Sequence, residues 1–282
     1  DTFIHNSFFL MALLGGIASS ITAGIIGTYV VIKRIVFVSG SIAHSVLGGM
    51  GIALWVKRSF HILWLTPFHG ALAAALLSAF LMTWIRLRYK EREDTVIAAI
   101  WSTGMSLGVI FTALTPGYNT ELTSFLFGNI LWIEQADFTL LLVLDGIIFL
   151  AALFWHPQFL ALCFDEEQAY LQKISIPVYY TILMSLIALS VVILIQVVGS
   201  ILVITLLSIP AAISSRFTHV AWKMMALAVL FSVFFTCAGL WGAYFFNTPP
   251  GATIALTATF FYLCALLQKK PCCKKAFSKV SS

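Results

Sequence analysis

The run IPVYYTILMSLIALSVVILIQVVGSILVITLLSIPAAI, residues 176–213, is almost continuously apolar. A helix needs about 20 apolar residues to cross hydrocarbon roughly 30 Å thick. The run is too long for one crossing and is divided, by length alone, at Gln196–Gly199 into Pro177–Ile195 and Val197–Ser214. Seven comparable segments lie elsewhere: Phe8–Ile32, Val36–Val56, Thr66–Ile85, Thr95–Leu114, Asp137–Trp155, Trp222–Trp241 and Ala252–Leu267. In lipid every backbone polar group must be satisfied internally, and long unbroken apolar runs mean helices rather than barrel strands. The expected fold is an all-α, polytopic membrane bundle of about nine helices, within a range of eight to ten. It forms one transmembrane domain over residues 1–282, ending in a basic tail from residue 268.

Composition agrees with this reading. The chain is 61% hydrophobic and only 10% charged, whereas soluble domains carry about 25% charged residues. The net charge of +5 is no nucleic-acid signature, because the bases flank apolar segments and form no patch with interleaved polar residues. Asp1 to Asn6 contain no basic n-region, so the first span is expected to be permanent rather than a cleaved signal. None of the five cysteines lies in a C-x-x-C pair.

Charge also orients the chain. Fourteen of the sixteen Lys and Arg fall on one side of the serpentine, Lys57 and Arg58 being the exceptions. Short positive loops resist translocation, so the amino terminus is expected outside and the carboxyl terminus in the cytoplasm of a bacterial inner membrane. Cys272-Cys273 then lies in a reducing compartment, where disulfides are rare.

The stretch Thr115–Gln135 is too polar for a span, yet Phe125-Leu126-Phe127-Gly128 is apolar; it fits a re-entrant or an interfacial helix. Gly104-x-x-x-Gly108 and Gly48-Gly49-x-Gly51 let helix backbones approach closely. Pro210 removes a backbone hydrogen bond inside a span, which serves either packing or gating. No G-x-x-x-x-G-K-[ST] loop is present, so any nucleotide is bound by another chain.

Titratable groups deep in a span are costly and usually functional. His44 and Asp145 are the only His and the only acid near mid-depth. Together they suit a divalent ion such as Zn²⁺, or Mn²⁺ with more oxygen ligands, or a proton relay. Asp145 also fits a protonated carboxyl bonded between helices. His61 and His69 lie in an outer loop and fit either metal acceptance or simple solvation. His156 and His219 fall at cytoplasmic edges, where interfacial anchoring suffices. The polar segment Phe164-Asp165-Glu166-Glu167-Gln168-Ala169-Tyr170-Leu171 reads as a short amphipathic helix with an acidic start, suited to a groove on a partner, or as a plain connection.

In this order and spacing, the chain resembles the permease subunits of bacterial ABC importers for zinc, manganese and iron. The markers are Ser41-Ile42-Ala43-His44-Ser45, Glu93-Asp94-Thr95, Phe125-Leu126-Phe127-Gly128 and Phe164-Asp165-Glu166-x-x-Ala169. Val198-Gly199-Ser200-Ile201-Leu202-Val203 then runs into Ile209-Pro210-Ala211-Ala212, and Thr248-Pro249-Pro250-Gly251 closes the series. The resemblance implies a permease dimer with the ion path between subunits, driven by two cytoplasmic ATPase subunits and supplied by a periplasmic metal-binding protein. It implies no permanently bound cofactor, the metal being cargo, and no enzymatic activity in this chain. Phe164, Asp165, Glu166, Ala169 and Leu171 would form the helix that couples to the ATPase. Gly40, Ser41, Ser45 and Pro210 would line the pore beside His44.

Such permeases pair an Asp with the His four residues later. Here Gly40 occupies the acid's position, so the transit site is differently composed or borrows Asp145. Ser214-Ser215-Arg216-Phe217 is more similar to zinc than to manganese members, and zinc is the expected ion. An ion-coupled secondary transporter would need matching halves with mid-depth acids, and an intramembrane enzyme would need clustered catalytic groups. Neither pattern is found.

Overall fold

The computed structural model describes residues 7–62, 64–89, 93–115 and 135–267. Every regular element among them is an α-helix. In chain order these are α1 (Ser7–Lys33), α2 (Val36–Ser59), α3 (Pro67–Tyr89), α4 (Glu93–Leu114), α5 (Gln135–Phe154) and α6 (His156–Phe164). They continue as α7 (Glu166–Leu171), α8 (Ile176–Val198), α9 (Ser200–Phe217), α10 (Ala221–Phe246) and α11 (Pro250–Leu267). The Phe125–Gly128 segment and the basic tail lie outside the described residues.

Local chemistry sets the boundaries. Pro67 and Pro250 open α3 and α11, where a missing N–H leaves no helical bond unmade. Asn247 closes α10 in the left-handed region (φ 52°), a conformation that Asn tolerates well. The long apolar run is broken at Gly199, whose φ of 85° falls where glycine meets no Cβ penalty. The division at Gln196–Gly199 is therefore real.

Each of the nine anticipated segments falls on a helix, yet they are not nine equivalent spans. Seven helices are long and apolar enough to cross: α1 to α4, α8, α10 and α11. An eighth crossing is obtained if α5 and α6, bent by 71° across Trp155, count together. Leu202–Phe217 of α9 is a shorter apolar helix, roughly 24 Å long at 1.5 Å per residue.

The helices form a graded bundle. Two-thirds (67%) of the apolar windows of α1, α2 and α8 are buried, against 17% for α4 and α11. α1 packs against α10, α9, α5 and α8, while α2 packs against α4 and α3. The outward faces of α3, α4 and α11 carry exposed Leu77, Phe80, Val109, Ile110, Leu256 and Phe260, as lipid contact requires and water would not tolerate.

The two glycine motifs meet each other. A Cβ on Gly48 would lie 2.7 Å from the Gly104 carbonyl oxygen, and one on Gly51 2.9 Å from that of Gly108. Gly49 abuts the Gly70 backbone on α3 in the same way. Small residues at both faces thus bring α2 against α3 and α4 at backbone contact.

Candidate functional site

His44 is half-buried on α2. Its imidazole stacks on the indole of Trp101 from α4, with centroids 4.4 Å apart and planes 15° apart. The Trp101 Nε1–H donates to Met105 Sδ at 3.2 Å, which anchors the indole one turn along its own helix. Gly40 lies one turn before His44. A Cβ there would stand 3.4 Å from Ile204 of α9 and 3.7 Å from the Trp101 ring. An aromatic plane therefore spans the positions of both Gly40 and His44, and α9 closes the other side.

The neighbouring hydroxyls are committed to helix packing. Ser41 Oγ donates to the Ile97 carbonyl of α4 at 2.9 Å. Ser78 Oγ of α3 donates to Ser45 Oγ at 2.8 Å, and Ser45 Oγ donates to the Ile42 carbonyl at 2.8 Å. All three serines are buried. Pro210 is buried in α9, and its carbonyl accepts from Ser214 Oγ at 2.7 Å.

Asp145 is oriented elsewhere. It is buried on α5, and its Oδ1 accepts a hydrogen bond from Thr22 Oγ1 of α1. Its Oδ2 has no partner among the described residues. α2 and α5 share no substantial packed face, so the structure does not bring His44 and Asp145 together within one chain. No group of three His, Cys, Asp or Glu that could hold a metal occurs among the described residues. His69, at the start of α3, is bonded through Nδ1 to Thr66 Oγ1 at 2.6 Å. It borders a cleft of about 610 Å³ between α2, α3 and α4 that reaches Ser45 and Ser78.

His156 stands at the first residue of α6, beside the bend after α5. It is buried, its Nδ1 lies 2.7 Å from the Tyr29 hydroxyl, and its ring packs 4.4 Å from that of Trp222.

A second polar region surrounds α7. Asp165 caps the helix, its Oδ1 accepting from the backbone N–H of Glu167 at 2.9 Å and of Gln168 at 3.2 Å, which satisfies two orphan donors. Ala169 is fully buried, whereas Phe164, Tyr170 and Leu171 are 67%, 73% and 79% exposed. An apolar side chain that exposed, on a helix held from beneath, is presented outward. Glu166 receives the Lys33 ammonium of α1 and, at 2.7 Å, the Arg86 guanidinium of α3. Burial alone would raise the Glu166 pKa, but the hydrogen bonds and charges of Lys33 and Arg86 outweigh it and hold the carboxyl below its ordinary value.

Sequence reasoning passed over Trp101, Thr22, Lys33 and Arg86 as site-shaping residues. Thr22, close to Ser19 and Ser20 in an apolar span, was a legible polar signal. Trp101 left none, because an aromatic in a span ordinarily reads as a lipid or packing contact.

The description "ABC 3 transport family" fits residues 5–269 of the chain. A "Probable metal transport system membrane protein" of Chlamydia pneumoniae is 40% identical over 274 residues, covering 96% of this chain and 93% of the relative. The manganese transport system membrane protein MntC of Listeria monocytogenes is 28% identical, covering 94% and 91% respectively. Among solved structures, PsaBC from Streptococcus pneumoniae in complex with Fab matches with a TM-score of 0.83 and 29% identity. That match covers 100% of this chain and 98% of the other.

Proposed function

This chain belongs to the ABC 3 transport family, and on that premise we propose that it is the membrane-spanning permease of an ATP-driven importer of a divalent metal ion. It is a multi-pass protein of the plasma membrane, with seven helices long and apolar enough to span it. The observation that carries the reading is the near full-length likeness to a metal-system membrane protein at 40% identity. The half-buried His44 on the bundle's second helix supplies the ligand.

The amino terminus lies outside and the carboxyl terminus in the cytoplasm, a reading that the distribution of bases supports. The chain forms a single transmembrane domain and pairs with a second permease copy, with the ion passing between the two. A periplasmic metal-binding protein delivers the ion, and cytoplasmic ATPase subunits dock on the exposed Phe164, Tyr170 and Leu171. Catalysis of ATP hydrolysis belongs to those subunits. Alternating access exposes His44 first to one side and then to the other. A site with one imidazole per chain binds an ion without trapping it, which conduction demands.

Zinc is the favoured ion. α2 carries no carboxylate, and an imidazole unaccompanied by acid suits Zn²⁺ better than the oxygen-seeking Mn²⁺. Manganese is the second reading, favoured by the manganese-system relative. The deciding experiment reconstitutes the chain with its ATPase in proteoliposomes and measures accumulated zinc and manganese by mass spectrometry. ATP-dependent zinc uptake supports the first reading and preferential manganese uptake the second. Uptake of neither removes the importer assignment.

A further inference from the structure

α7 has only six residues, too few to hold a helix by backbone bonds alone. Beyond the Asp165 cap and the buried Ala169, it is held by a single carboxylate reached from two directions. The Lys33 ammonium ends α1, and the Arg86 guanidinium lies in the last turn of α3. The Lys33 side chain is only 10% exposed, and it also donates to the Leu162 carbonyl at 2.6 Å. A charge buried to that degree requires a counter-charge. This ion pair therefore differs from an ordinary surface salt bridge, which contributes little. Arg86 is held in turn, its guanidinium lying 4.3 Å above the Tyr180 ring of α8.

The connection continues into the bundle. α3 meets α2 backbone to backbone at Gly70 and Gly49, with no side chain between them to absorb a displacement. Gly49 follows His44 by five residues on the same rigid helix. Glu166 thus links the exposed α7 surface, through Arg86 and α3, to the helix that carries His44.

We infer that Glu166 is a positioning residue that transmits movement of α7 to α3 and α2, so that ATP hydrolysis in the partner and ion movement in this chain stay linked. The inference rests on the importer reading above and adds the route by which that importer is driven.

The test uses the native chain with its ATPase in proteoliposomes and reads ions accumulated per ATP hydrolysed. Glu166→Gln removes the charge at nearly constant volume. It is expected to lower that ratio at least about fivefold, the low end for coupling between two sites, while the ATPase still co-purifies. Arg86→Met is expected to lower it too, and adding Glu166→Gln to that variant is expected to cost less than it does alone, because both act on one joint. A native-like ratio in Glu166→Gln overturns the inference, as do effects of the two substitutions that simply multiply. Loss of ATPase co-purification also overturns it, since Glu166 would then build the docking surface instead of transmitting through it. A native complex that pumps no ion overturns the importer reading and the inference together, whereas active pumping with an unaffected Glu166→Gln variant removes the inference alone.

Discussion

The surroundings of His44 and of Glu166 are constructed in opposite ways. His44 has an indole on one face, no carboxylate on its helix, and flanking hydroxyls already engaged between helices. Glu166 gathers two cations and a capped helix around one carboxylate. The first arrangement offers an ion little to hold it, and the second is built to stay closed. In the proposed roles, passage and transmission place different demands on polar groups, and the charge is concentrated at the joint proposed to convey movement.

The sharpest way to break this contrast is His44→Ala. Uptake by the reconstituted complex is expected to fall at least about tenfold, since even outer partners of a metal site are worth 10–100-fold. Native uptake in that variant would remove His44 from the path. Next in size is Gly49→Val, which drives a branched side chain into the Gly70 backbone. It is expected to lower stability by about 1–3 kcal/mol, read as a lower thermal midpoint in detergent. An unchanged midpoint would show that α2 and α3 do not approach as described.

Asp145 provides a control for the sparse site. Thr22→Val removes the hydrogen bond to Asp145 Oδ1, beside an Oδ2 that already has no partner among the described residues, and is expected to destabilise the bundle by about 1–3 kcal/mol. Asp145→Asn keeps an acceptor for Thr22 and is expected to leave metal uptake at the native level. A loss as large as that of His44→Ala would instead put Asp145 on the ion's route.

The smallest expected effect is on pH. The folded-state pKa of Glu166 lies below its ordinary value of 4.5. Its contribution to stability is therefore complete above that ordinary value and is lost as pH falls through the lower folded value. Amide-exchange protection of residues 166–171 is expected to persist to below pH 4.5 and to disappear there earlier in Lys33→Met, whose weaker pairing raises the carboxyl again. Protection indifferent to both pH and Lys33 would show that α7 is held by packing of Ala169 alone.

The helices themselves were legible because hydrocarbon imposes length and composition locally. Segments such as Val36–Val56 and Thr95–Leu114 could be read residue by residue, and Gly199 falls inside the break anticipated on length. The acidic cap of α7 was readable for the same reason, since Asp165 bonds within two to three residues of itself. The pairing of His44 with Asp145 was a different kind of question. Segment position assigns both a similar depth, but depth says nothing about azimuth, and α5 turns Asp145 toward Thr22.

Composition and the spacing of bases by themselves determined a polytopic helical membrane protein and its boundaries, because burial in lipid acts on each segment separately. Only the tertiary structure decided that Trp101 covers His44, that the two glycine motifs face each other, and that Lys33 and Arg86 converge on Glu166. Those contacts join residues 56 to 133 positions apart in the chain. They depend on the rotation of each helix about its axis, which packing sets and linear order does not.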